Sequence, residues 1–239
     1  MSRLHRDVMT HLTSAIVSGE MEVGALLPRE VDLADEFGVS RGVARETIRA
    51  MEERGLVRVR HGKGAIVNDS TEWDLLAPEV LQALLSTGIG TDVLNQYIRT
   101  RKILEVEAVA LAATLADESD LERIRADLAD MEEVGGLSAA GNRTAEARFH
   151  EADLAFHQSI FAAARNQVLA SLIRRIHEAL YIARIALARP EFRVERALPE
   201  HRAIFEAIWA KDPDRARQAM NAHLDTVAKY LFEAGDLPV

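Results

Sequence analysis

LLPREVDLADEFGVSRGVARETIRAMEERGLVRVRHGKGAIV, residues 26–67, decides how the N-terminal part of this chain folds. Pro28 stands just before Glu30–Phe37, where Val31, Leu33, Ala34 and Phe37 offer apolar groups to bury from a short helix. Gly38 and Val39 form a tight turn. Ser40 is suited to cap a third helix, because its hydroxyl can accept from the free N–H groups of the first turn. That helix is predicted to run to about Arg54 and to stop at Gly55. Two β-branched stretches follow, residues 56–60 and 65–67, and His61-Gly62-Lys63-Gly64 between them reads as a hairpin tip. Upstream, Arg3–Ser18 repeats Leu4, Val8, Leu12 and Ala15 or Ile16 at helical spacing, and Gly19 ends it. Helix, helix, tight turn, helix, hairpin is the order of a winged helix-turn-helix.

In that motif the third helix enters the major groove with its first residues toward base edges. Arg41 and Arg45 lie four apart, hence on one face, and each guanidinium can fork onto O6 and N7 of a guanine. Gly42 lets the backbone approach closely, and Ser40 can hold a phosphate. Ala44, Ile48 and Met51 face the other way, into a small core. The tip offers His61, Gly62 and Lys63 to the minor groove. Arg49 has Glu46 and Glu53 within reach as partners.

Charge distribution supports this surface. The chain carries a net charge of −9, which taken alone argues against nucleic acid. Residues 40–64, however, hold seven Lys/Arg against three Asp/Glu. A local basic patch on an acidic protein binds DNA at one chosen surface and is repelled elsewhere.

Beyond Asn68 the strand signals vanish. We expect a winged helix-turn-helix over residues 1–68, a linker at 69–76 and an all-helical domain over 77–235. The helical patterns lie near 77–86, 91–116, 119–133, 145–164, 167–188, 196–210 and 213–232, a bundle of about seven helices. Breaks are predicted at Gly88/Gly90, Gly135-Gly136, Asn142 and Pro190. The fold class is therefore mainly α. With no cysteine, disulfides, thiolate metal sites and Cys nucleophiles are excluded, and a cytoplasmic location is expected. The N-terminus is too polar for a signal peptide, and no apolar run approaches the ~20 residues that span a bilayer.

Within the helical part, Asp153 and His157 stand at i and i+4 and project from one helix face. His201 opens a later helix and His223 lies in the last. A bundle core can converge such groups on a metal. The alternative is a hydrogen-bonded core histidine, and with eight histidines in the chain some such pairs arise by chance.

The quoted stretch closely resembles the DNA-binding domain of the GntR family of bacterial regulators. The resemblance implies operator contacts from Ser40, Arg41, Gly42, Arg45, His61 and Gly62. One departure is Val31, where fatty-acid-responsive members carry an arginine. Residues 100–113 (TRKILEVEAVALAA), 153–169 (DLAFHQSIFAAARNQVL) and 200–224 (EHRAIFEAIWAKDPDRARQAMNAHL) follow the order and spacing of the FCD ligand-binding domain, found in the FadR-type branch. The resemblance implies a divalent metal held by Asp153, His157, His201 and His223. Zinc is the default for such an N/O set, and nickel or manganese is tolerated. It also implies that Arg101 grips an effector carboxylate; a salt bridge to Glu105 on the helix surface is the competing reading. The fatty-acid branch lacks the metal set, which disfavours an acyl-coenzyme A ligand. Asn166 is expected to cap a helix, while His150 and His177 face solvent or neighbouring helices. Residues 70–85 (STEWDLLAPEVLQALL) resemble members that respond to sugar acids such as galactonate or gluconate.

The leading expectation is a homodimeric repressor, one winged helix per half of a palindromic operator, released by a small carboxylate effector. A regulator with the metal ion itself as effector is the first alternative. A zinc hydrolase is the second, although no HExxH motif or Ser/His/Asp arrangement accompanies the histidines.

Overall fold

The first helix, α1 (Arg3–Val17), buries Val8, Met9, Leu12, Ala15 and Ile16. Leu4 was expected on this face but is 52% exposed. At 100° per residue the buried arc centres near His5, Leu12 and Ile16, and Leu4 falls roughly 100° to one side. In this computed structural model the described residues are 3–88, 90–138, 143–186 and 194–233. They divide into two units, Met1–Leu94 with Glu178–Leu187, and Asn95–His177 with Ala188–Val239.

Next in the first unit is α2 (Glu30–Phe37), whose start is closed by Asp32. That carboxylate accepts from the backbone N–H of Arg29 at 3.2 Å and from its Nε at 2.8 Å. Leu33 and Ala34 are buried as expected, but Val31 is exposed. It lies roughly 160° around the helix from Leu33 and cannot share its face. Gly38, at φ 62°, takes the left-handed conformation that turns the chain into α3 (Arg41–Glu53). Ser40 caps α3 as predicted, its Oγ accepting from Val43 N–H at 3.2 Å. Ala44, Thr47 and Met51 are fully buried, which sends the arginines of α3 outward. Thr47 also meets His5 of α1, with Oγ1 3.3 Å from Nδ1.

The wing pairs β1 (Val57–Arg60) with β2 (Gly64–Val67), antiparallel, with Val57 opposite Val67 and Arg60 opposite Gly64. Leu26 bridges to Ile66 on the other side of β2. Leu27 N–H donates to Ala65 O and Val67 N–H to Ala25 O, so β2 has hydrogen-bonded neighbours on both edges. Gly62 at the tip has φ 73°, a conformation glycine adopts without Cβ strain.

The expected linker is structured. Asn68 is buried, donates to Gly55 O at 2.9 Å and accepts from Arg58 Nη1 at 2.7 Å. Asp69 caps a short 3-10 turn at Ser70–Glu72. Then α4 (Pro78–Ser86) places Ala77, Val80, Ala83 and Leu84 in the same apolar cluster as Val8 and Leu12. Arg54 and Glu79 join α3 to α4 by an ion pair at 3.0 Å. The sequence reading starts the helical domain at 77, whereas the packing binds these residues to the first core.

Six helices complete the described bundle: α5 (Thr91–Leu115), α6 (Glu118–Ser138), α7 (Arg143–Ala163), α8 (Gln167–Ala186), α9 (Val194–Trp209) and α10 (Pro213–Glu233). Ala108, Val109, Ala112 and Ala113 make α5 a small-residue helix buried in this core, so neighbours approach it closely. Phe156 and Ile160 of α7, Ile204 and Ile208 of α9, and Met220 and Leu224 of α10 pack in the same cluster. Contrary to expectation, α6 continues through Gly135 and Gly136. Each glycine costs about 1 kcal/mol relative to alanine, a cost that burial of Met131 and Val134 on the same helix offsets. The break predicted at Pro190, and the one at Asn142, lie outside the described residues. Asp117 and Asp120 cap the start of α6 reciprocally, each accepting the other's backbone N–H. Asn166 caps α8 as expected, accepting from Leu169 N–H at 3.1 Å.

Gly55 is a tight backbone site. A Cβ there would lie 1.9 Å from the Glu72 carbonyl oxygen, and its φ of 71° disfavours any side chain. Gly55→Ala is expected to destabilise the N-terminal unit by roughly 2–4 kcal/mol, measured as a lowered urea midpoint. An unchanged midpoint would show that residues 70–73 yield without cost.

Candidate nucleic-acid interface and metal centre

The sequence singles out two sites, and each unit holds one. In the first unit, burial of one α3 face leaves Ser40, Arg41, Gly42 and Arg45 exposed at its start. His61, Gly62 and Lys63 are exposed at the wing tip. Arg49 pairs with Glu53 at 3.2 Å, one of the partners anticipated for it. Ser40 spends an oxygen lone pair on the cap but keeps its O–H to donate.

Arg45 differs from its neighbours. Its Nε lies 3.2 and 3.1 Å from the two carboxylate oxygens of Glu30, and Nη2 lies 3.1 Å from Oε2. Both side chains remain substantially open to water, 69% and 37% exposed. Sequence reading had no means of choosing Glu30, because a pair between separate helices leaves no periodic signal.

In the second unit, α7, α9 and α10 bring together His157, His201 and His223, all buried. One ligand atom from each lies within 4.8 Å of the others. Asp153, one turn before His157, places Oδ1 2.9 Å from His201 Nε2 and 3.9 Å from His157 Nε2. The four residues predicted as ligands thus meet.

Their hydrogen bonds determine what faces inward. His201 Nδ1 sits 2.7 Å from the Ala197 carbonyl, which only accepts, so this nitrogen carries the proton. His223 Nδ1 likewise faces Glu200 Oε2 at 3.1 Å, and Thr226 donates to the other Glu200 oxygen at 2.6 Å. In neutral rings the protonated Nδ1 leaves a lone pair on Nε2. Asp153 Oδ1 is buried and makes no hydrogen bond, as is His157 Nδ1. His157 Nε2 and His201 Nε2 stand only 3.2 Å apart. A buried carboxylate oxygen with no donor is stabilised when a cation lies beside it. Carboxylate oxygen with imidazole nitrogen is a donor set that suits a divalent ion, and Ala197 O and Glu200 are the outer partners that orient such ligands.

Protonation states match. Burial pushes His157 well below the usual imidazole range, with His201 and His223 pushing the same way against Asp153. Burial and His201 also lower His223. Neutral rings beside an ionised carboxylate are ready to bind metal.

Arg101 was expected to await a carboxylate, and it already grips one. Its Nε lies 2.6 Å from Glu105 Oε1 and Nη2 3.3 Å from Oε2. The pair is buried rather than on the surface, as the competing reading had it. His177 meets the same Glu105 oxygen at 2.8 Å, and its ring lies 6.1 Å from that of His157. Burial would raise Glu105, yet Arg101 and His177 keep it well below the usual range. Arg101 and Glu105 were visible at i and i+4; His177, 72 residues on, was not. Glu200 and Thr226 were missed for the same reason.

Residues 4–67 match the family described as bacterial regulatory proteins, gntR family, and residues 96–226 match the FCD domain. The chain is 30% identical to the galactonate operon transcriptional repressor of Escherichia coli, covering 98% of each chain. It is 31% identical to the HTH-type transcriptional regulator LutR of Bacillus subtilis, over 90% of this chain and 95% of that protein. Among solved structures, Lar, which controls expression of the Listeria monocytogenes agr system, superimposes with a TM-score of 0.63 at 22% identity, covering 99% of each. Among the described residues no helix is long and apolar enough to cross a membrane.

The depressed histidines set a pH dependence. Stability from the neutral rings is complete above the unfolded value of about 6.5. It is lost as pH falls from there toward the folded values, because the unfolded chain takes up protons first. Chelator-treated protein is expected to lose stability steadily as pH falls through that window, because His157 and His223 take up protons later in the fold than in the unfolded chain. Urea titrations between about pH 5 and pH 8 check this, and a flat profile would mean that the rings protonate freely in the fold.

Proposed function

Since this chain belongs to the GntR family, carries an FCD domain and is a transcriptional regulator rather than an enzyme, we propose that it is a metal-dependent repressor released by a small carboxylate. Two copies bind a palindromic operator, one winged helix per half-site. Arg41 and Arg45 read guanines from the major groove, Ser40 and the Gly42 backbone meet phosphates, and His61, Gly62 and Lys63 lie along the minor groove.

Asp153, His157, His201 and His223 would hold the ion, zinc by default and nickel or manganese as substitutes. The observation that carries this part is the buried, unsatisfied Asp153 oxygen facing imidazole nitrogens whose protons are committed elsewhere. When bound, a divalent ion supplies positive charge to oxygens of an acid ligand. Arg101, buried beside Glu105, supplies directional N–H donors to the carboxylate. A hydroxy-carboxylate suits an arginine and a metal together. A relative that represses a galactonate operon supports a sugar acid as the class.

The effector must bind the DNA-released state more tightly than the DNA-bound one, since only differential affinity shifts an equilibrium. The metal-only alternative separates cleanly from this: there, adding zinc to chelator-treated protein changes operator affinity by itself.

Two outcomes are expected. Arg45→Ala weakens specific DNA binding by about 1–3 kcal/mol, read by gel-shift titration; unchanged affinity removes that contact from the interface. In thermal-shift screens of zinc-loaded protein, sugar acids raise the melting temperature, and Arg101→Ala abolishes the rise while the zinc-induced rise persists. Equal stabilisation of wild type and variant would place the acid elsewhere.

A further inference from the structure

We infer that Glu30 is a specificity-determining residue that holds Arg45 in a base-reading pose, an inference that rests on the DNA-reading role proposed for Arg45. Glu30 is the first residue of α2, where the exposed N–H groups of the helix end favour a negative charge. The adjacent Arg29 is occupied with Asp32, which leaves the Glu30 carboxylate to α3. Glu30 takes the Nε–H of Arg45 and faces one Nη2–H. Arginine has five N–H groups in a fixed fork. The donors left over are those of Nη1 and the second on Nη2, the end-on edge that pairs with guanine O6 and N7.

The pair therefore does two things at the groove. It restricts the long side chain before DNA arrives, so less rotamer freedom is lost on docking. It also partly neutralises the guanidinium and sets a carboxylate near the phosphates. Arg45 then gains little from a generic backbone contact and much from a guanine. As an exposed ion pair it contributes little to fold stability, so its effect belongs in recognition. Arg49, paired within its own helix to Glu53, has no such anchor on α2.

The test uses full-length protein and a duplex recovered from random-sequence DNA by selection with the wild type. Each base pair of that duplex is then substituted in turn, and affinities are measured for wild type, Arg45→Ala, Glu30→Gln and the double variant. Arg45→Ala identifies the pair that Arg45 reads. Glu30→Gln is expected to reduce discrimination at that same pair roughly tenfold. Its binding to unselected DNA should be as tight or tighter, with a salt dependence steeper by about one charge. In the Arg45→Ala background, Glu30→Gln should change nothing further at that pair.

Retained discrimination in Glu30→Gln, or an equal loss with and without Arg45, overturns the role of Glu30 while leaving Arg45 as a reader. If Arg45→Ala loses selectivity at no pair, the reading of Arg45 itself fails, and this inference with it. A parallel loss of affinity for every sequence together with a lowered melting temperature would mark Glu30 as structural and also overturn it.

Discussion

Burying one face of α3 is the constraint on which the DNA-reading unit depends. Ala44, Thr47 and Met51 are fully enclosed, two of them small enough to let α3 approach its neighbours closely. Water then receives whatever stands on the other side, and here that is Arg41, Arg45 and Arg49. The same packing carries through to α4, whose Val80 and Leu84 lie in one cluster with Val8 and Leu12. One apolar cluster thus runs from the first helix of this unit to the fourth. The chain leaving the wing is held too, since Asn68 ties Gly55 to Arg58.

The helical unit poses the opposite problem: polar groups inside a dry interior. His157, His201, His223 and Glu105 are all buried. Two solutions sit side by side. Glu105 is balanced by Arg101 and His177, so it stays ionised at little cost. Around His201 the balance is incomplete, because Asp153 Oδ1 and His157 Nδ1 are buried with no hydrogen-bond partner. A fully paired network rigidifies a core, whereas an unpaired one marks a place where a ligand belongs.

Several elements were readable because their causes are local. Ser40 capping α3, Asn166 capping α8, Gly38 in its turn and the hairpin over residues 57–67 all follow from chemistry acting across a few residues. Misreadings had equally definite causes. Gly135 and Gly136 only weaken a helix, and packing nearby outweighed them. Leu4 and Val31 are apolar, but helical geometry turns them away from the buried faces. The bridge from Leu26 to Ile66 joins single residues and leaves no alternating pattern to detect.

What the chain determined by itself was the order of its elements, the exposure of basic residues on α3 and the candidates for ligation. Periodicity, capping and charge placement all act within one or two helical turns, so they are written along the string. Tertiary structure alone decided which groups meet: Glu30 with Arg45, His177 with Glu105, Glu200 with His223. These pairs join separate helices, and their distances depend on how apolar faces pack rather than on spacing in sequence. It also decided tautomers, because a ring nitrogen keeps or gives up its proton according to the oxygen that packing brings against it.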